Sequence, residues 1–333
     1  EIVESIVQAE VRISDFHELQ RGRDLWLQEM EPGITLGVKS TPLSRIGIYV
    51  PGGRAAYPST ALMCAIPAIV AGVGEICCCT PPPINPLTLV ALDIAGVSEV
   101  YRVGGAQAIA AMALGTETIP RVEKIVGPGN VFVTAAKMLL RDDVEIDFPA
   151  GPSEIAVFAD NTANPTFIAA DILAQAEHDP SAACVLVTTD AALADTVGAE
   201  VERMVKSAKR REVIKGALAH SGYIVAGDLG EAVEVVNGIA PEHLSIQVAD
   251  PLSILTGIRN AGSIFIGPYA AVACGDYASG TNHVLPTAGY ARLYSGLDVN
   301  HFCRRSTIQM ITREGLEAIG DVVETIADAE GLH

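Results

Sequence analysis

The run IGIYVPGGRAAYPSTALMCAIPAIVAGVGEICCCT, residues 46–80, decides the fold. Ile46–Val50 and Glu75–Thr80 read as strands and Pro58–Ala71 as a helix, with Pro51-Gly52-Gly53 as the turn that leaves the first strand. Strand, glycine turn, helix and second strand is the unit by which parallel strands are joined through a crossover helix.

The same rhythm continues outward from this stretch. Strands are expected at Glu99–Val103 and Lys124–Val126, with helices near Pro86–Ala95, Ala106–Leu114 and Val131–Arg141. After Asp147-Phe148-Pro149-Ala150-Gly151-Pro152 the pattern restarts, with strands at Glu154–Phe158, Ala183–Thr188, Gly222–Val225, Leu244–Val248 and Ser263–Ile266. Helices near Pro165–Glu177, Ala191–Val205, Leu229–Ile239 and Pro251–Ile258 fill the gaps. The fold class is therefore α/β: two Rossmann-like open parallel-sheet units with small terminal extensions. A chain of 333 residues exceeds what one hydrophobic core usually serves, which agrees with two units. The ends read as a helix over Glu1–Ser14, an irregular connection through Pro32-Gly33, and an amphipathic helix over Glu314–Ala329.

A formal charge of −18 repels phosphate backbones and anionic lipid, which excludes nucleic acid and membrane surfaces as expected partners and favours a small molecule. The longest apolar stretch, Ala61 to Val73, is too short to span a bilayer, and no secretory leader is read at the start, so a soluble, cytoplasmic protein is expected. Of seven cysteines, Cys77, Cys78 and Cys79 are consecutive, and neighbours on a strand point to opposite faces, so they read as buried reduced thiols.

Several polar groups carry possible chemistry. Gln175 and His178 lie three apart on one helical face and can reach a common ion, or His178 simply ends the helix. Residues Gly267 to Tyr294 form a long polar stretch, and within it Asp276 and His283 are a carboxylate and an imidazole in a glycine-rich loop, either a third ligand or a hydrogen-bonded turn. Glu242 and His243 stand side by side just before a strand, at the sheet edge where open α/β folds place their sites. They make an acid/base pair whose adjacent side chains diverge toward separate protons, or a surface turn. Pro51-Gly52-Gly53, Gly104-Gly105-Ala106-Gln107 and Gly127-Pro128-Gly129-Asn130 each follow a strand and precede a helix, where backbone amides favour an anion such as a pyrophosphate. The Gly-x-Gly-x-x-Gly fingerprint is absent, so each is also readable as an ordinary turn. His17, His220 and His301 lie outside any polar cluster and read as structural or surface residues.

Taken together and in order, Tyr49 to Gly53, Gly104 to Ala108, Gly127 to Asn130, Gly151 to Glu154, Gln175 to His178, Ala240 to Leu244 and Gly275 to His283 resemble the histidinol dehydrogenase family, and the likeness runs from Ile46 to Glu330. The resemblance implies oxidation of L-histidinol to L-histidine through L-histidinaldehyde, with reduction of two NAD, in the last steps of histidine biosynthesis. It implies one zinc ion per subunit, held by Gln175, His178 and Asp276, with Ser153, His243, His283 and Glu330 contacting substrate. Glu242 and His243 match the catalytic pair, and Tyr49, Gln107 and Asn130 match positions that contact NAD. A homodimer with shared sites is implied, the last zinc ligand coming from the partner's C-terminal end, two residues beyond His333 by the family's spacing. The implied division is 1–45 with 152–296 as one α/β domain carrying most of the zinc and substrate site, 46–151 as a second with the NAD loops, and 297–333 as a swapped helical tail. The rival readings are a related zinc and NAD dehydrogenase for another alcohol, a zinc hydrolase that uses no NAD, and a non-catalytic binding or regulatory protein.

Overall fold

The structure, a computed structural model, describes residues 1–333 except 53–55, 98, 150 and 333. Gly53, Ala150 and His333 of the stretches above lie outside the described residues. The chain opens with helix α1 (Ile2–Gln20) and an antiparallel pair, β1 (Leu25–Glu31) and β2 (Ile34–Pro42). Pro32-Gly33 is thus a two-residue turn and not an irregular connection, with Gly33 at φ +78°, which a glycine adopts without steric cost.

The first parallel unit contains β3 (Arg45–Tyr49), α2 (Pro58–Ala71), β4 (Glu75–Cys79), α3 (Pro86–Ile94) and β5 (Glu99–Tyr101). It continues through α4 (Gly105–Leu114), β6 (Lys124–Val126), α5 (Val131–Leu139) and the short β7 (Glu145–Ile146). Its sheet runs β5-β4-β3-β6-β7, all parallel, so the chain winds outward from β3 and then crosses back to β6. Side chains alternate between two cores: Ile46, Ile48 and Cys78 face α2 and α3, while Tyr49, Cys77 and Cys79 face α4 and α5. The three cysteines are fully buried, and burial pushes the thiols of Cys77 and Cys79 up to about 11 and about 12.

The second unit contains β8 (Glu154–Ala159), α6 (Pro165–Ala176), β9 (Ala183–Thr188), α7 (Ala191–Val205), α8 (Arg211–Leu218) and β10 (Gly222–Val225). Then follow α9 (Leu229–Ile239), β11 (His243–Gln247), α10 (Pro251–Leu255), β12 (Ser263–Ile266) and α11 (Val272–Tyr277), the last inside the stretch read as loop. Its parallel sheet runs β10-β9-β8-β11-β12. Asn164 caps α6, its side chain accepting from the N–H groups of Thr166 and Phe167.

The chain closes with β13 (Cys303–Ile311) and α12 (Arg313–Glu330). β13 pairs with β2 along its whole length, giving a third, antiparallel sheet β1-β2-β13 where the sequence pattern suggested only a tail helix. Ile6 and Ile13 of α1 pack in the core shared by α2 and α3, because their apolar stripe meets that face. α12 leaves Leu316, Val322, Val323 and Ile326 exposed. Among the described residues no helix is long and apolar enough to cross a membrane.

Candidate active site

A cavity of about 850 Å³ lies where the two parallel units meet. The first unit lines it from the carboxyl ends of its strands: Tyr49 closes β3, Pro81 follows β4, and Pro128, Gly129 and Asn130 follow β6. The β3/β6 border is the sheet's switch point, the usual ligand position in open α/β folds. The second unit is placed the other way round. Ser153 precedes β8, Glu242 precedes β11 and His243 begins it, so that half of the site stands on amino ends of strands and departs from the rule that suggested it.

From these amino ends a connected polar network is built. Gln175, on the last turn of α6, donates through Nε2 to Ser153 Oγ at 2.6 Å. The Ser153 hydroxyl donates to Glu242 Oε2 at 2.5 Å, and the backbone N–H of Glu154 donates to the same oxygen at 2.9 Å. Glu242 is 6% exposed, and its burial raises the carboxyl pKa above the ordinary range, against the lowering effect of His243. The imidazole of His243 turns Nδ1 toward the carbonyl oxygen of Glu154 at 3.1 Å, with Glu242 Oε2 at 3.5 Å. A carbonyl can only accept, so Nδ1 carries a proton. Nε2 is buried without a hydrogen-bond partner and faces Asp276 Oδ1 at 3.9 Å. His283 repeats the arrangement, with Nδ1 on the Asp276 carbonyl at 3.0 Å, and burial lowers its pKa so that it stays neutral.

The residues read as metal ligands line the same cavity. Gln175 is buried, Asp276 sits on α11, and His178 lies in the exposed segment just after α6. The tie from Gln175 Nε2 to Ser153 turns the amide oxygen away from Ser153, and an amide oxygen, an imidazole and a carboxylate are a donor set that zinc accepts. Among the described residues no three His, Cys, Asp or Glu side chains stand together as a metal cluster, and the set here depends on the glutamine.

On the opposite wall, Tyr49 accepts the Gly105 N–H on its hydroxyl at 3.0 Å, tying the end of β3 to the start of α4. Asn130 caps α5 by accepting from Phe132 and Val133, both at 3.1 Å. Gln107 is exposed on the first turn of α4 and, with Glu330 at the far end of α12, is not part of the cavity wall. The structure therefore brings together Ser153, Gln175, His178, Glu242, His243, Asp276 and His283 with Tyr49 and Asn130, and leaves Gln107 and Glu330 apart.

Three supports were not read from sequence. Lys137 donates to Asp147 Oδ1 at 2.8 Å and to the Gly127 carbonyl at 2.6 Å, while Asp147 Oδ2 accepts the Gly127 N–H at 2.8 Å. This buried pair fixes the turn before Asn130, where Gly127 has φ +110° and a side chain would run into the Tyr49 carbonyl. Asn282 donates to the Met63 carbonyl at 2.7 Å and toward His17 Nε2 at 3.4 Å, pinning the segment before His283 to α1 and α2. Arg210, just before α8, also faces the cavity. Only the glycine turn at Gly127 carried a sequence signal for any of these.

Two open parallel sheets with glycine turns and a buried acid/base pair in their shared cleft define an α/β protein of enzyme-like architecture. The fold alone is shared with an acetylating aldehyde dehydrogenase from Geobacillus thermoglucosidasius, at TM-score 0.61 and 13% identity over 94% of this chain and 91% of that one. A family model described as histidinol dehydrogenase matches residues 1–333. The chain is 53% identical to histidinol dehydrogenase of Methanosarcina barkeri, covering 100% of this chain and 78% of that protein, and 50% identical to that of Aquifex aeolicus over the same shares. The crystal structure of histidinol dehydrogenase from Elizabethkingia anophelis superposes at TM-score 0.98 with 42% identity, covering 100% of this chain and 78% of that one. The chain belongs to the histidinol dehydrogenase family and is an oxidoreductase.

Proposed function

We propose that the protein oxidises L-histidinol to L-histidine through L-histidinaldehyde, with balance RCH2OH + 2 NAD+ + H2O → RCOO− + 2 NADH + 3 H+. The observation that carries this reading is the unpartnered, buried Nε2 of His243, on a residue that lines the cavity beside a carboxyl of raised pKa. When bound, zinc on Gln175, His178 and Asp276 supplies a fixed point for the substrate's imidazole and amine, and NAD supplies the hydride acceptor. His243 Nε2 takes the hydroxyl proton as the carbinol carbon is oxidised. Glu242, held by Ser153 and the Glu154 N–H, takes a proton from the water that hydrates the aldehyde. Separate partners for the two side chains support separate proton transfers.

Tyr49 and Asn130 on the β3/β6 side are the proposed NAD contacts, and Gln107, on the first turn of α4 and off the cavity wall, is proposed as a third. We place the NAD loops in 46–151 and most of the zinc and substrate site in 152–296, and take the protein as cytoplasmic. A homodimer is supported by the exposed apolar residues of α12 and by Glu330 lying off its own cavity wall, as a tail reaching a second copy requires. Incubation with L-histidinol and NAD, with and without a chelator, tests the reading. Two NADH per L-histidine, lost on chelation and restored by zinc, is expected; absence of NAD reduction by the zinc-loaded dimer refutes it.

A further inference from the structure

The cavity is acidic. Asp147, Glu177, Asp179, Glu242 and Asp276 line it, and among the described residues Arg210 is the only lysine or arginine that does. Arg210 is set apart from the other cations of its segment by its place on the cavity wall: Lys206, Lys209 and Arg211 do not line it. Arg210 forms no ion pair with any described carboxylate, although it shares a cavity with five.

The helix it leads into is packed onto the second unit. Ile214 and Ala217 bury the inner face of α8 in the core of the second unit, and Gly216 lies so close to Pro180 that a Cβ there would stand 2.7 Å from the proline Cβ. Pro180 directly follows His178 and Asp179, so α8 docks on the segment that brings His178 to the cavity, and Arg210 leads into α8.

We infer that Arg210 is the carboxylate-recognition residue of this cavity, receiving the anion that forms when the substrate's carbinol carbon becomes a carboxylic acid. The inference rests on the proposed reaction. The second oxidation removes a hydride and two protons from the aldehyde hydrate, RCH(OH)2 + NAD+ → RCOO− + NADH + 2 H+, and leaves a negative charge that the alcohol lacked. Even with zinc engaged by the imidazole and amine, the new anion in a partly desolvated cleft lined by carboxylates gains from a further cation that meets it directly. A guanidinium does so with two parallel N–H donors matched to a carboxylate. The glycine turns suited to a pyrophosphate belong to the first unit, whereas Arg210 stands on the second, just before α8, which favours the carboxylate as its partner.

Calorimetric titration of wild type, Arg210→Gln and Arg210→Lys with L-histidine, L-histidinol and NAD tests this. In Arg210→Gln the dissociation constant for L-histidine should rise about tenfold or more, while those for L-histidinol and NAD move less than about twofold. Arg210→Lys, which keeps the charge and loses the fork, should fall between. Parallel weakening of L-histidine and L-histidinol, a loss confined to NAD, or no change overturns the inference. NAD reduction by the same wild-type preparation separates the failures: an active wild type with the wrong variant pattern refutes the role of Arg210 alone. An inactive wild type refutes the reaction and the carboxylate with it.

Discussion

Replacing Lys137 by methionine tests whether a buried ion pair holds the wall proposed to receive NAD. Lys137 and Asp147 have side chains 5% and 2% exposed and meet at 2.8 Å. Two unit charges at 2.8 Å attract by about 6 kcal/mol at an effective dielectric of about 20. Desolvation of both ions offsets much of that, so the pair adds little net stability, but its halves cannot be separated cheaply. Lys137→Met leaves Asp147 charged, buried and short of one donor, at an expected cost of about 3–5 kcal/mol. The Gly127 carbonyl loses its Lys137 donor in the same step. The double variant Lys137→Met/Asp147→Asn removes both charges and keeps an acceptor for the Gly127 N–H, so its loss should be about 1–2 kcal/mol. Denaturant titration of the three proteins gives these differences, and KM for NAD should rise more than kcat falls, because the Gly127 turn leads into Asn130. A single variant that loses under about 1 kcal/mol, or a double variant as damaged as the single one, would show that the charges do not carry the turn.

Asp171, one turn before Gln175, is buried, and that burial pushes its pKa from 3.8 up to about 6. Its proton stabilises the folded state fully below about pH 4 and that contribution is lost as pH rises through about 6. Asp171→Asn should flatten the stability profile over that window in denaturation measured against pH, and an unchanged slope refutes the assignment. His178→Ala should lower zinc content, read by metal analysis after dialysis, without changing the far-ultraviolet circular dichroism, because the side chain is exposed. Asn282→Ala removes the donor to Met63 and the acceptor for the Val284 N–H, and should cost about 1–3 kcal/mol with a loss of kcat from displacement of His283. Retention of both wild-type stability and kcat would show that Asn282 does not pin the segment.

The parallel strands were legible because each is a short run rich in apolar residues set between helical patterns. The bounds expected for Ala183–Thr188, Gly222–Val225, Ser263–Ile266, Pro58–Ala71, Ala191–Val205 and Leu229–Ile239 agree with the structure residue for residue. β1 and most of β13 were not legible, since both faces are exposed and no two-residue alternation marks them. α8 escaped because it is only eight residues long and carries little apolar content, although its few apolar residues fall on one face. In the site, Glu242 with His243 and Gln175 with His178 were visible as local pairs. The tie of Asn282 to His17 spans 265 positions and that of Ser153 to Glu242 spans 89, so no local pattern encodes them.

The alternation of Cys77, Cys78 and Cys79 across the first sheet gives the protein a set of internal clocks. A thiol is alkylated as thiolate and only when a reagent can reach it, and these three are fully buried with raised pKa. Their labelling therefore waits for the first sheet to open, whereas that of Cys184, buried beside α6 and β9, waits for the second. Cys274 is exposed and reacts at once, which marks zero time within the same molecule. The order in which labelled masses accumulate then tells which half of the cleft comes apart first, and whether substrate or cofactor delays one half or both.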